Sequence, residues 1–252
     1  MVDARQVAYL QALGVDVYVP RSAAPLPAEV IVAAVPTPPP VVVALSVEAA
    51  PHPDIAANLD WDELRAAVAA CQLCDLHAKR TQTVFGVGNR QARWMFIGEA
   101  PGAEEDRQGE PFVGRAGQLL TSMIRALGLR REDVFIANVL KCRPPDNRDP
   151  KPSEAASCRR YLERQVALVN PTLIIAVGRI AAQNLLATET PIAKLRGKVH
   201  SFGVKAWPLV VTYHPAYLLR SPGEKRKSWQ DLLLARQLFG RLEQESASGG
   251  RA

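Results

Sequence analysis

The chain has 252 residues, 48% of them hydrophobic, with a formal net charge of +6 and a pI near 9.3. This is enough apolar material for one packed domain with sequence to spare, and the basic balance suits a polyanionic partner without requiring one. Met1–Gly14 lacks the pattern of a secretory signal, and the most apolar stretch, Val30–Val47, is broken by Pro36, Pro38, Pro39 and Pro40, which excludes a spanning helix.

In chain order, Arg5–Leu13 carries Val7, Leu10 and Leu13 at helical spacing and stops at Gly14, which predicts a short helix. Pro20 to Pro53 holds nine of the 20 prolines and very few charges, the composition of an extended linker. Residues 1–58 are therefore read as a helix plus Pro-rich linker, residues 59–244 as the folded domain, and residues 245–252 as a flexible tail. Within the domain, Asp62–Ala70 is an expected opening helix. Short apolar runs at Trp94–Ile97, Val134–Val139, Leu173–Val177 and Leu209–Tyr213 read as strands. Helical patterns occupy Gln118–Leu127, Ser153–Val169, Arg179–Ala187 and Trp229–Leu242. Apolar strands alternating with helices predict an α/β fold, a three-layer α/β/α sandwich around a central four-stranded, mainly parallel sheet. Such sheets bind ligands beyond the carboxyl ends of their strands, which singles out Glu99, Asn138, Gly178 and His214.

A soluble, cytoplasmic chain is expected, so its four cysteines are not read as disulfides. Cys71-Gln-Leu-Cys74 brings two thiols to the end of the opening helix, while Cys142 follows a strand and Cys158 lies within the next helix. Bare thiols, a zinc site and an iron–sulfur cluster all stay open on spacing. The fifteen-residue separation of the second pair suits zinc poorly and an iron–sulfur cluster slightly better.

The block Gly98-Glu99-Ala100-Pro101-Gly102-Ala103-Glu104-Glu105-Asp106 is a tight turn that is too acidic for phosphate. It suits activation of a water or stabilisation of a cationic transition state, with a solvated helix start as the plain alternative. Phe112, between Pro111 and Val113-Gly114, is either a core residue or a stacking surface for a planar ligand. Asn138 ends an apolar strand and offers a side-chain amide that matches a pyrimidine edge; a backbone-satisfied Asn is the alternative. His214, at a strand end and followed by Pro215, could donate to an anionic oxygen. Arg220 through Lys227 forms a basic segment suited to phosphates or merely to solvent.

In order, the Gly-Glu-Ala-Pro-Gly block, Pro111-Phe-Val-Gly-Arg-Ala-Gly117, Asn138-Val-Leu-Lys-Cys-Arg-Pro-Pro145 with Asn147-Arg-Asp-Pro150, and His214-Pro-Ala216 resemble the family 4 uracil-DNA glycosylases of bacteria and archaea. The resemblance covers about Cys71 to the end of the final helix. It implies a [4Fe-4S] cluster on Cys71, Cys74, Cys142 and Cys158. It also implies a repair activity on uracil-containing DNA, in which uracil is flipped out and its N-glycosidic bond hydrolysed, the first step of base excision repair. In that scheme Gly98, Phe112 and Asn138 bind the base, by stacking on the ring and hydrogen bonding to its edge. His214 stabilises the uracil anion at O2. Glu99 positions the water and faces the cationic sugar, with Glu105 and Asp106 as alternatives for that role. Leu218 is a candidate to fill the gap left in the DNA, with an ordinary core leucine as the alternative, while Arg220, Lys141 and Arg143 meet phosphates. The cluster is expected to be structural, pinning the opening helix to the loop after the second strand. A monomer is expected, with the N-terminal extension free to dock a repair or replication protein. The alternative is a non-catalytic iron–sulfur DNA-binding relative, against which Glu99, Asn138 and His214 stand.

Overall fold

The computed structural model describes residues 56–249. The helix expected at Arg5–Leu13, the Pro-rich linker and the docking role of the extension lie outside the described residues. The first described helix, α1 (Trp61–Ala69), starts on a capping box. The Asp60 side chain accepts from the Asp62 and Glu63 N–H groups, and the Glu63 carboxylate accepts from the Asp60 N–H, each at 2.9 Å.

The sheet follows as β1 (Val87–Gly88), β2 (Trp94–Gly98), β3 (Phe135–Asn138), β4 (Leu173–Val177), β5 (Val199–Phe202) and β6 (Trp207–Thr212). Its order is β1-β3-β2-β4-β6-β5. The four inner strands are parallel, and β1 and β5 are antiparallel edges. The parallel four-stranded core agrees with expectation, but the sheet has six strands rather than four. The two extra strands are short or half-exposed, so neither carries the continuous apolar run that marks the inner ones.

Strand alternation splits the core into two layers. Met95, Ile97, Phe135 and Ile174 point to one side, where they pack with Leu64 and Val68 of α1 and with Tyr161, Leu162 and Val166 of α4 (Pro152–Val169; α2 and α3 lie before it in the chain). Phe96, Ile136, Ile175 and Val210 point to the other side. There they meet Leu120 and Ile124 of α3 (Arg115–Ala126) and Leu232 and Ala235 of the last helix. This is the expected three-layer sandwich. The remaining helices are α2 (Ala103–Gln108), α5 (Arg179–Leu186), α6 (Ile192–Leu195), α7 (Pro215–Arg220) and α8 (Lys225–Gly249). Helix α8 passes the boundary expected at residue 244, since no proline or glycine interrupts Gln244–Ser248. Among the described residues no helix is long and apolar enough to cross a membrane.

The chain moves from β2 outward to β3 and then crosses back over β2 to β4. The carboxyl ends of β2 and β4 therefore diverge in their connections, which opens a crevice at that end of the sheet.

Candidate active site

A cavity of about 800 Å³ occupies this crevice. Glu99 enters it from the end of β2, Asn138 from β3, Arg179 from the start of α5 and His214 from the end of β6, with Phe112 and Arg220 completing the wall. Of the expected site residues, Glu99, Phe112, Asn138, His214 and Arg220 thus surround one space.

Phe112 holds a left-handed backbone, φ 56°, an uncommon state for a bulky residue and one that the surroundings must enforce. The enforcing group is Glu105. Its Oε1 accepts from the Val113 N–H at 3.0 Å and the Gly114 N–H at 3.3 Å, and its Oε2 accepts from the Gly102 N–H at 3.2 Å. Glu105 is therefore committed to shaping the Phe112 loop. Asp106 is buried and accepts from the Thr81 N–H through both oxygens, at 3.0 and 3.1 Å. Neither is free to hold a water, which corrects their standing as alternatives to Glu99. Among the described residues the Glu99 carboxylate makes no hydrogen bond or ion pair. Burial, and secondarily the charge of Asp149, push its pKa up to about 7, against the pull of Arg179. Arg179 is itself paired with Asp149 at 2.6 Å.

Gly98 needs its missing side chain: a β-carbon there would lie 2.5 Å from both Asn138 Oδ1 and Phe112 Cζ. Asn138 is 2% exposed, and its Oδ1 is buried without a hydrogen-bond partner. Such an acceptor is costly unless a ligand satisfies it. The His214 ring lies beside Phe112, centroids 5.7 Å apart. Its Nδ1 accepts from the Ala216 N–H at 3.1 Å as the cap of α7, so the neutral ring carries its proton on Nε2. Burial, and then the Arg220 charge, lower its pKa to about 4, with Glu105 opposing. The imidazole is neutral at physiological pH. Gly178, φ 98°, permits the approach of His214, whose Cβ would lie 2.9 Å from a β-carbon at that position.

Two expected DNA contacts are corrected. Lys141 is only 1% exposed, and its Nζ donates to the Asn138 carbonyl at 2.8 Å and to Gln165 Oε1 at 2.6 Å. It cannot reach a phosphate. Leu218 is likewise 1% exposed, packed in the core on the α3 and α8 side, and is not presented to DNA; its neighbours Tyr217 and Leu219 are the exposed ones. Helical periodicity turns Leu218 inward along with Pro215, and the sequence alone did not show that. Arg143 is half-buried, with its Nε donating to Asn147 Oδ1 at 2.8 Å, and Arg220 lies on the cavity wall. Sequence reasoning missed Arg179 and Asp149 as neighbours of Glu99. The signal was available in the position of Arg179, directly after Gly178 at the end of β4.

The four cysteines line a second, far smaller cavity of about 10 Å³, between α1, α4 and the loop after β3. Among the described residues no three His, Cys, Asp or Glu side chains form a group able to hold a single metal ion. Two donors point at the sulfurs: Arg80 Nη1 lies 3.2 Å from Cys142 Sγ, and the Lys141 N–H lies 3.3 Å from Cys158 Sγ. Burial raises the thiol pKa values of Cys74 and Cys142, and pushes that of Cys158 up to about 12.

Fold and crevice together define an α/β protein with a cavity at a topological switch point, on which an aromatic face, an unpaired amide oxygen and a neutral imidazole converge. Sequence comparison supplies the family. The uracil DNA glycosylase superfamily matches residues 85–233. A type-4 uracil-DNA glycosylase of Archaeoglobus fulgidus is 46% identical over 190 residues, covering 72% of this chain and 94% of that protein. One from Thermotoga maritima is 47% identical over 61% of this chain and 80% of its own length. A type-5 uracil-DNA glycosylase of Thermus thermophilus is 33% identical over 62% of this chain and 75% of its own. The chain belongs to the uracil DNA glycosylase superfamily.

Proposed function

We propose that this chain excises uracil from DNA, hydrolysing the N-glycosidic bond of a base rotated into the crevice. The observation that carries the reading is the unpaired, buried Oδ1 of Asn138, set close to Phe112, which in turn lies beside a neutral His214. Uracil has the complementary features: a planar ring, an N3–H donor and a carbonyl oxygen on which negative charge grows as the bond breaks. Phe112 stacks on the ring, and Asn138 Oδ1 accepts from N3–H. His214 Nε2–H donates to O2, where a neutral donor stabilises the departing anion without first needing a proton from solvent. The Glu99 carboxylate faces the sugar and orients water, and its poised pKa suits that exchange. Arg220 and Arg143 supply positive charge for the DNA backbone.

The four cysteines are the residues that would hold a [4Fe-4S] cluster. Two observations support the fit: all four thiols ring one cavity, and N–H donors already point at two of the sulfurs. When bound, the group supplies a rigid cross-link among α1, α4 and the loop after β3. Its place outside the crevice makes it scaffold. The enzyme is assigned to the cytoplasm.

The test is incubation of purified protein with an oligonucleotide carrying one uracil, followed by alkali. Scission at the uracil position is expected, and intact DNA would overturn the reading.

A further inference from the structure

The proposed chemistry leaves one buried basic side chain unused, Lys141 on the wall of the cysteine cavity. Lys141 is fully buried and, among the described residues, its Nζ makes no ion pair with a carboxylate. A buried amino group is costly unless its donors are satisfied, so the partners its side chain takes are informative. Nζ donates to the main-chain carbonyl of Asn138 at 2.8 Å and to Gln165 Oε1 at 2.6 Å. Gln165 on α4, itself fully buried, donates through Nε2 to the Phe85 carbonyl at 2.8 Å. The Lys141 main chain is tied equally firmly: its N–H donates to Cys158 Sγ at 3.3 Å, and its carbonyl accepts from the Val84 N–H at 2.8 Å.

We propose that Lys141 is a positioning residue for base recognition, holding Asn138 in place from behind and joining it to the wall of the cysteine cavity. Asn138 ends β3, where its carbonyl would otherwise be left at the edge of the crevice. A charge-assisted hydrogen bond to that carbonyl fixes the last peptide of the strand, and so fixes the direction of the amide side chain in the cavity. The Lys141 N–H on Cys158 Sγ and its Nζ on the Asn138 carbonyl join the wall of the cysteine cavity to Asn138 through one residue. The inference rests on the proposed role of Asn138 in reading uracil.

The test is a double-mutant cycle on the full chain, read as single-turnover excision of uracil from an oligonucleotide. Lys141→Met is expected to slow excision about tenfold or more in the wild-type background, and less than about twofold in the Asn138→Ala background, because the residue it positions is then gone. Iron per chain and the thermal midpoint are read on the same preparations. Should Lys141→Met fold poorly or lose iron, Gln165→Leu repeats the cycle, since it removes the second acceptor of the ammonium without altering the lining of the cysteine cavity. Equal slowing in both backgrounds would mean a general structural effect and overturn the proposal. Additivity in an active wild type sinks only the role of Lys141, whereas a wild type that cleaves no uracil DNA sinks the functional reading beneath it.

Discussion

Gly98 and Asn138 stand opposite one another in the β2–β3 register, close enough that a β-carbon on Gly98 would lie 2.5 Å from the Asn138 Oδ1. The same carbon would lie 2.5 Å from Phe112 Cζ, so one glycine sets the spacing between the amide proposed to read the base and the ring proposed to stack on it. Gly98→Ala must displace one or both. We expect a stability loss of about 1–3 kcal/mol, as for other overpacked sites, but a fall in excision rate well beyond it. Thermal melting and single-turnover cleavage on one preparation check this; unchanged cleavage would mean that the pocket tolerates the shift.

Asn138→Ala and His214→Asn probe the two polar contacts separately. Asn retains an oxygen able to cap α7, so His214→Asn removes the Nε2 donor while keeping the helix start. Each variant is expected to lose about 100-fold or more in excision, the scale of a donor or acceptor that acts on developing charge. Asn138→Ala also deletes a buried unpaired oxygen. Its melting temperature should equal or exceed that of the wild type, and a large drop would show that the amide has a structural partner instead.

The inner sheet and the strand-end residues were legible because buried parallel strands are continuous apolar runs, and a polar residue at the end of such a run stands out. Glu99, Asn138 and His214 were found that way. What stayed hidden depended on direction. Nothing in Asn138-Val-Leu-Lys141 says that the ammonium folds back onto the carbonyl of Asn138 rather than out to solvent. The carboxylates of the acidic turn look alike in sequence. Only the fold shows that Glu105 serves the Phe112 loop, Asp106 serves the Thr81 N–H, and Glu99 serves neither. The edge strands were missed because β1 is only two residues long and β5 is largely exposed.

Leu218 offers a clean separation of core and surface. At 1% exposure, Leu218→Ala should cost about 2–5 kcal/mol in denaturant unfolding, as buried leucines do. Leu219 is 37% exposed on the same helix. Leu219→Ala should change stability by less than about 0.5 kcal/mol. If the tip of α7 presses on DNA, Leu219→Ala weakens binding to a uracil oligonucleotide in a fluorescence titration, while stability holds.

The cysteine cavity predicts a coloured protein with iron bound to the four thiols, and a zinc-loaded colourless one would refute the [4Fe-4S] assignment. Cys158→Ser removes the proposed ligand on α4 and replaces the sulfur that the Lys141 N–H faces with a hydroxyl oxygen on a shorter bond. A lost metal site belongs among the changes that exceed about 4 kcal/mol, and in a domain of this size each kcal/mol moves the midpoint about 2–4 °C. The variant should therefore melt at least about 8 °C lower, with its iron content reduced.

The pH dependence follows from two groups shifted in opposite directions. His214, with its pKa lowered to about 4, is neutral throughout the working range and contributes no limb near neutrality. Glu99, raised to about 7, is protonated on the acid side of that value and a carboxylate above it. Because the carboxylate is the form proposed to face a cationic sugar, kcat/KM should climb as pH rises through about 7 and then level off. Glu99→Gln should flatten that limb at a much lower rate, and a limb that survives the substitution would assign it to another group. Stability carries the opposite sign. A carboxyl whose pKa is raised on folding holds its proton more tightly in the native state than in the unfolded chain. Its contribution is complete below the ordinary value near 4.5 and is lost as pH rises through about 7. Glu99→Gln, a permanent mimic of the protonated form, should therefore melt above the wild type at about pH 8 and converge with it toward about pH 5. The crevice thus holds its carboxylate at a cost to the fold, and the same substitution that relieves the cost removes the chemistry.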